Sequence, residues 1–181
     1  MTLVQGAATW LLLLSTAIAA PKSIWIDVPF VAQPRDGCGA ASVAMIMQYW
    51  ARQQSHSITP ADRVSTIQKH VYSPRVHGAT PVALETYLKS HGYLTFAIKG
   101  SWRQLDQELR KGRPLVVALR PSGQRDLHYV VIDGIDNEHE LIMMNDPEVR
   151  KLLPESRKQF EKEWSATHEW MLLALPGQPD S

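Results

Sequence analysis

The chain has 181 residues, 44% of them hydrophobic and 20% charged, with a formal net charge of +1. That length and apolar content suit one globular domain with a real core. The near-neutral balance, without a long basic or acidic run, leaves no electrostatic footprint for nucleic acid, and no internal repeat or low-complexity tract divides the chain.

The amino terminus differs in character. Residues 7–20, AATWLLLLSTAIAA, are apolar apart from Thr9, Ser15 and Thr16, and the first basic side chain is Lys22. The run is short for a membrane span of about 20 residues and suits the apolar region of a signal peptide. Ala17-Ile18-Ala19 supplies a small-x-small cleavage pattern. The expectation is a signal peptide over residues 1–19 and one mature domain over residues 20–181. Such a protein is exported, periplasmic or secreted, with no stable membrane insertion after cleavage. An uncleaved amino-terminal anchor is the alternative, because no basic side chain precedes the apolar run. No cysteine directly follows the run, so lipid attachment through a mature amino-terminal cysteine is not expected.

Residues 23–33, SIWIDVPFVAQ, alternate and then meet proline-marked turn chemistry, which predicts a short strand and a loop. Residues 38–52 carry Ala, Val, Met, Ile, Tyr and Trp on nearly every face, the signature of a buried central helix. Thr59-Pro60 predicts a second helix to about His70, and Thr80-Pro81 a third that stops at Gly92. YLTFAIK is a strand, and SWRQLDQELRKG is a helix with a Ser101–Gln104 capping box and a terminating Gly112. PLVVAL, LHYVVIDGI and ELIMMND read as three strands, followed by a charged helix over about 156–164 and a last strand in HEWMLLAL. Helices first and strands later around one core make the class α+β.

Cys38 is the single cysteine. An exported chain has every reason to pair its cysteines, and one thiol cannot form an internal disulfide. Taken alone, Cys38 reads equally well as a small buried apolar residue. Its place at a helix amino terminus, however, puts it in the positive end of the helix dipole, which favours the thiolate. Gly37 and Gly39 flank it and are expected to leave room for a substrate carbonyl. Gln33, on the loop leading in, offers an amide donor for an oxyanion beside the Cys38 backbone N–H. A thiol nucleophile needs a base, and seven histidines compete for that role: His56, His70, His77, His91, His128, His139 and His168. His128 and His168 stand at strand entrances; the others fall at helix ends or turns. Asp146, before Pro147, ends the strand after that of His128 and is a candidate to orient an imidazole. With DNEHE as a hairpin turn, folding the chain back about Asn137 or Glu138 pairs Ile135 with about Glu140 and Tyr129 with about Asp146. That brings Asp146 within about one residue of His128, on strands roughly 4.8 Å apart. Asp133 and Asp136 fall too far along the strand, Asp126 lies on a loop, and Asn145 points to the opposite face. The scattered Cys and His show no C-x2-C or H-x3-H pairing for zinc, and no cofactor motif is present.

Together, Gln33…Cys38-Gly39-x-Ala41 on a helix start, then HYVV, then MMNDP, resemble the bacteriocin-leader-processing cysteine peptidases. These are the papain-like domains fused to double-glycine peptide exporters and their stand-alone exported relatives. The resemblance covers about residues 28–175 and implies a central buried helix bearing the cysteine, packed on an antiparallel sheet bearing His and Asp. It implies Cys38 as nucleophile, His128 as base, Asp146 as orienting carboxylate and Gln33 as oxyanion donor, acting on a peptide or protein substrate through an acyl-thioester. No transmembrane bundle and no G-x4-G-K-[ST] motif follows, which separates this chain from the exporter itself. An amidase or transglutaminase-like acyl transferase uses the same triad order, and a non-catalytic peptide-binding module of this fold is the rival of another class.

Overall fold

The apolar helix around the single cysteine organises everything else in the molecule. The computed structural model describes residues 23–177; the expected signal segment 1–19 lies outside them. In chain order the elements are β1 (Ser23–Trp25), α1 (Cys38–Gln53), a 3-10 turn (Pro60–Asp62), α2 (Val64–Val71), β2 (Tyr72–Ser73) and β3 (Gly78–Ala79). They continue with α3 (Pro81–Ser90), β4 (Tyr93–Lys99), α4 (Trp102–Arg110), β5 (Leu115–Leu119), β6 (His128–Asp136) and β7 (Leu141–Asp146). The last are β8 (Arg150–Ser156), α5 (Arg157–Ser165) and β9 (Trp170–Pro176). This is the expected α+β class.

The main sheet is antiparallel, in the order β4-β9-β5-β6-β7-β8. β1 pairs with the far end of β6, along the edge that β5 leaves free after Ile132. Tyr129 lies against Gly39 of α1 and meets Trp170 edge-on, so α1 covers that face. The next residue of β9, Met171, faces the opposite way, towards Trp164 of α5 beside Gly100. With helices on both faces, β5 is buried along its whole length and β6 along all but its two ends. A continuous apolar run such as LVVAL is what burial on both faces requires. The core is closed by Val43, Met45, Ile46, Leu84, Leu105, Val117, Val130 and Phe160, all nearly inaccessible. Two polar groups inside it are matched: Ser42 Oγ donates to Tyr129 O at 3.1 Å, and Trp50 Nε1 to Ala174 O at 2.8 Å.

Four features depart from the sequence expectations. The helix expected from Thr59-Pro60 ends after one turn, because the Asp62 carboxylate draws in both Thr59 N and Thr59 Oγ1, at 2.7 and 2.9 Å. Arg63 is then extended, with φ −87° and ψ 132°, and α2 starts afresh after it. A two-strand ribbon, β2 with β3, occupies a segment that carries no strand pattern. β8 was not expected either; Pro154 and the left-handed Leu152 (φ 52°) obscure it, and both are tolerated because β8 is an edge strand. Finally, Ile135 pairs with Ile142 and not with Glu140, and the register then shifts between Ile132 and Gly134, where Asp133 bulges out.

Candidate active site

Cys38 is the first residue of α1, behind Gly37, with no side-chain cap and no acidic residue in the first turn. The helix-terminal N–H groups are therefore left to favour a negative sulfur. The thiol is only partly buried, and Sγ lies 3.8 Å from Leu127 O, to which it weakly donates. The flanking glycines do not open space, as was expected of them. A Cβ on Gly37 would sit 2.7 Å from Pro34, and one on Gly39 would press Ala79, Leu84 and Tyr129 at 3.0–3.2 Å. They are glycines because the protein itself closes tightly around the helix start.

His128 opens β6 directly after Leu127. Its Nε2 is 2.9 Å from Asp146 Oδ1, and the two side chains are only 12% and 11% exposed. The Cys38 sulfur also favours charge on the ring; with Nε2 taken by Asp146, Nδ1 is the nitrogen left to face it. Burial alone would discourage charge on this imidazole. The hydrogen bonds and charges of Asp146 and Cys38 outweigh it and push its pKa from 6.5 up to about 10. Burial likewise works to raise the Asp146 pKa, but His128 and the backbone N–H groups of Glu148 and Val149 hold it below the usual carboxylate value. The Glu148 N–H donates to Asp146 Oδ1 at 2.9 Å, fixing the carboxylate's orientation.

The bulge at Asp133 puts Asp146 on the right face. Past the last ladder pair, Val131 with Asn145, Asp146 stands opposite Val130, which shares a side of β6 with His128. The symmetric hairpin expected from DNEHE, pairing Tyr129 with Asp146, would have aimed the carboxylate at the Tyr129 face. Asn145 does point away, as expected. Its Nδ2 donates to Val28 O at 3.2 Å and its Oδ1 accepts from Leu152 N at 3.0 Å, tying the entry loop and β8 to β7.

Gln33 reaches the same corner through its backbone: its N–H donates to Pro147 O at 2.9 Å. Its Oε1 is buried with no hydrogen-bond partner among the described residues, so nothing fixes the amide from that end. Cys38, His128 and Asp146 thus meet side chain to side chain, and Gln33 is held next to Asp146-Pro147. His168 instead sits in the turn before β9. Sequence reasoning missed the Leu127 carbonyl and Glu148. Glu148 lies two residues beyond Asp146, with its carboxylate 4.0 Å from His128 Nδ1; a strand-end DPE turn was the only available hint. A cavity of about 710 Å³, lined by Arg35, Asp36, Gln68, Tyr72 and His77, adjoins the loop just before the thiol.

The Peptidase_C39 like family profile matches residues 25–170, most of the chain. The chain belongs to that family. This C39-like protein is a cysteine peptidase, a hydrolase of papain-like fold. It is similar to a Bacillus anthracis protein described as a C39-like peptidase, at 18% identity and TM-score 0.64, covering 84% of this chain and 97% of that one. It is also similar to a double glycine motif protease from an AMS/PCAT transporter solved with its leader peptide, at 18% identity and TM-score 0.63, covering 84% and 94%. The peptidase domain of Streptococcus ComA, a bi-functional ABC transporter, aligns at 21% identity and TM-score 0.58, covering 81% and 96%. A search of curated proteins gives no match.

Proposed function

We propose that this C39-like protein is an exported peptidase that hydrolyses peptide bonds with Cys38 as nucleophile, His128 as acid and base, Asp146 as orienting carboxylate and Gln33 as oxyanion donor. One observation carries the reading: the buried His128 ring bonds Asp146 Oδ1 at 2.9 Å, and the Cys38 sulfur lies 3.8 Å from the carbonyl of the residue just before His128. The reacting form is the Cys38 thiolate beside a protonated His128. Sulfur attacks the substrate carbonyl carbon, and the oxygen that gains charge is met by the Cys38 N–H at the helix start and by the Gln33 amide. His128 then gives its proton to the leaving amine as the C–N bond breaks, leaving a thioester on Cys38. The neutral imidazole next takes a proton from water; the hydroxide displaces sulfur, releasing the acid and restoring the ion pair. Asp146 holds the ring's tautomer and stabilises its charged form throughout.

A solved relative with a bound leader peptide supports a peptide as substrate. Export rests on the apolar run and the Ala17-Ile18-Ala19 pattern of the sequence. Iodoacetamide should alkylate the folded protein rapidly near pH 6, well below the roughly 8.5 of a free cysteine. Cys38→Ala should abolish turnover. Slow labelling that begins only above the ordinary thiol range would mean an inert cysteine and would sink the reading.

A further inference from the structure

A smaller cavity, of about 220 Å³, has the residue just before His128 in its wall. It starts at Leu127, whose carbonyl lies 3.8 Å from Cys38 Sγ. Ala118 and Trp170 line it on the sheet side, and Pro81, Arg120 and His168 are among the residues that close it. The volume is several times the roughly 30 Å³ share of a water molecule, enough for one side chain. Such a side chain would meet apolar groups first and positive charge at the rim.

The rim is built. Arg120 is fixed across it by Nη1 donating to Ala166 O at 3.0 Å, and no carboxylate among the described residues lies within ion-pair distance of its guanidinium. No described residue lining the cavity is acidic. Pro81 is the first residue of α3, whose positive end adds to the same field. Opposite, His168 and Glu169 are successive non-glycine residues in the left-handed region, at φ 58° and 53°. That conformation is uncommon for such residues and persists only where surroundings over-determine it. Here Thr167 Oγ1 bridges Ala118 O and Trp164 O at 2.6 and 2.7 Å, and Gly100 N donates to Glu169 O at 2.8 Å. The turn is held so that His168 faces the cavity.

We propose that this pocket selects an acidic substrate side chain, aspartate or glutamate, one or two residues from the scissile bond, with Arg120 as the specificity-determining residue and His168 as a second donor. The proposal rests on the hydrolytic reading above. The position follows from reach: an extended peptide advances roughly 3.3 Å per residue, so a side chain entering beside Leu127 belongs to a near neighbour of the attacked carbonyl.

The test uses the protein spanning residues 20–181 and alanine-rich peptides in which a single Glu, Lys or Gly is walked along the chain. Cleavage is read by mass spectrometry and kcat/KM. Binding of fluorescein-labelled versions to the Cys38→Ala variant is read by anisotropy. We expect Glu to exceed Lys by at least about tenfold in kcat/KM at one position beside the cut, Arg120→Ala to erase that preference, and Arg120→Glu to reverse it. Hydrolysis with a Glu-to-Lys ratio that Arg120→Glu leaves unchanged, or that accepts only Gly beside the cut, overturns the pocket and spares the peptidase reading. Absence of cleavage, with Arg120-dependent preference for Glu still seen in binding, overturns the peptidase reading and spares the pocket. Absence of both overturns both.

Discussion

The two contacts on the His128 ring set what single substitutions should do. Because its pKa is raised to about 10, the imidazolium survives as pH climbs through neutrality and is lost only as pH approaches that value. Asp146→Asn removes a charge and weakens a hydrogen bond that both favour the charged ring, leaving burial to oppose it. The alkaline limb of kcat/KM should therefore move to lower pH in this variant, and activity at neutral pH should fall at least about tenfold. A pH–rate profile of the two proteins reads this directly; an unmoved limb with near-normal activity would remove Asp146 from the mechanism. The melting temperature should change much less than the rate, since an asparagine oxygen still accepts the Glu148 N–H that holds the turn.

At the scale of elements, the hairpin β6–β7 and its bulge decide the geometry. Asp133 is fully buried, and neither carboxylate oxygen has a hydrogen-bond partner among the described residues. Desolvation dominates, with Lys151 opposing and Asp27 adding to it, and raises its pKa from 3.8 to about 7. A raised acid pKa means that stability is fully present below the unfolded value and is lost as pH rises through the folded one. Asp133→Asn should thus gain melting temperature relative to the parent between about pH 4 and about pH 7, with the gap constant above that. Any fixed cost of burying the amide does not vary with pH, so thermal scans across the window isolate the carboxylate; a pH-independent gap would count against the assignment. Deleting Asp133 tests whether the pairing sets the site. Gly134 already pairs with Met143 and Ile132 with Met144, so removing the unpaired residue leaves Asp146 opposite Val130, on the His128 side, and turnover should survive. Abolished turnover in a variant whose far-UV circular dichroism keeps its mixed α and β shape would show that the pairing alone does not set the site.

For the molecule as a whole, the site side chains come from residues 33 to 146, on the entry loop, α1, β6 and β7, and all lie downstream of the apolar segment. If residues 1–19 are a signal peptide, mature protein from a native host should begin near Ala20 and appear in the soluble exported fraction, as amino-terminal sequencing would show. Recovery with membranes and with Met1 retained would replace secretion by anchoring. Since no described group in the site comes from that segment, protein beginning at Ala20 should match the full-length chain in kcat/KM and melting temperature. Among the described residues, no helix is long and apolar enough to cross a membrane.

The sequence alone determined what depends on local chemistry and periodicity. The apolar run after Cys38 made a buried helix, the Thr80 and Ser101 caps marked helix starts, and unbroken LVVAL and HYVVIDGI runs marked strands. Those signals were enough to order the elements and to place one thiol on a helix start; the family resemblance then named Cys38, His128, Asp146 and Gln33 as the candidate site. Tertiary structure decided what depends on pairing across distance. β8 was hidden because Pro154 and Leu152 are acceptable only at a sheet edge, and edge position is not a local property. The register of β6 on β7 was off because a bulge is one unpaired residue that no periodicity announces, yet it sets which face Asp146 occupies. The tight closure around Gly37 and Gly39, the Leu127 carbonyl beside the sulfur, and the Arg120 rim next to it join residues from separate elements. Contacts of that kind exist only once the chain has folded, because each depends on the packing of elements that carry no trace of one another in their own sequence.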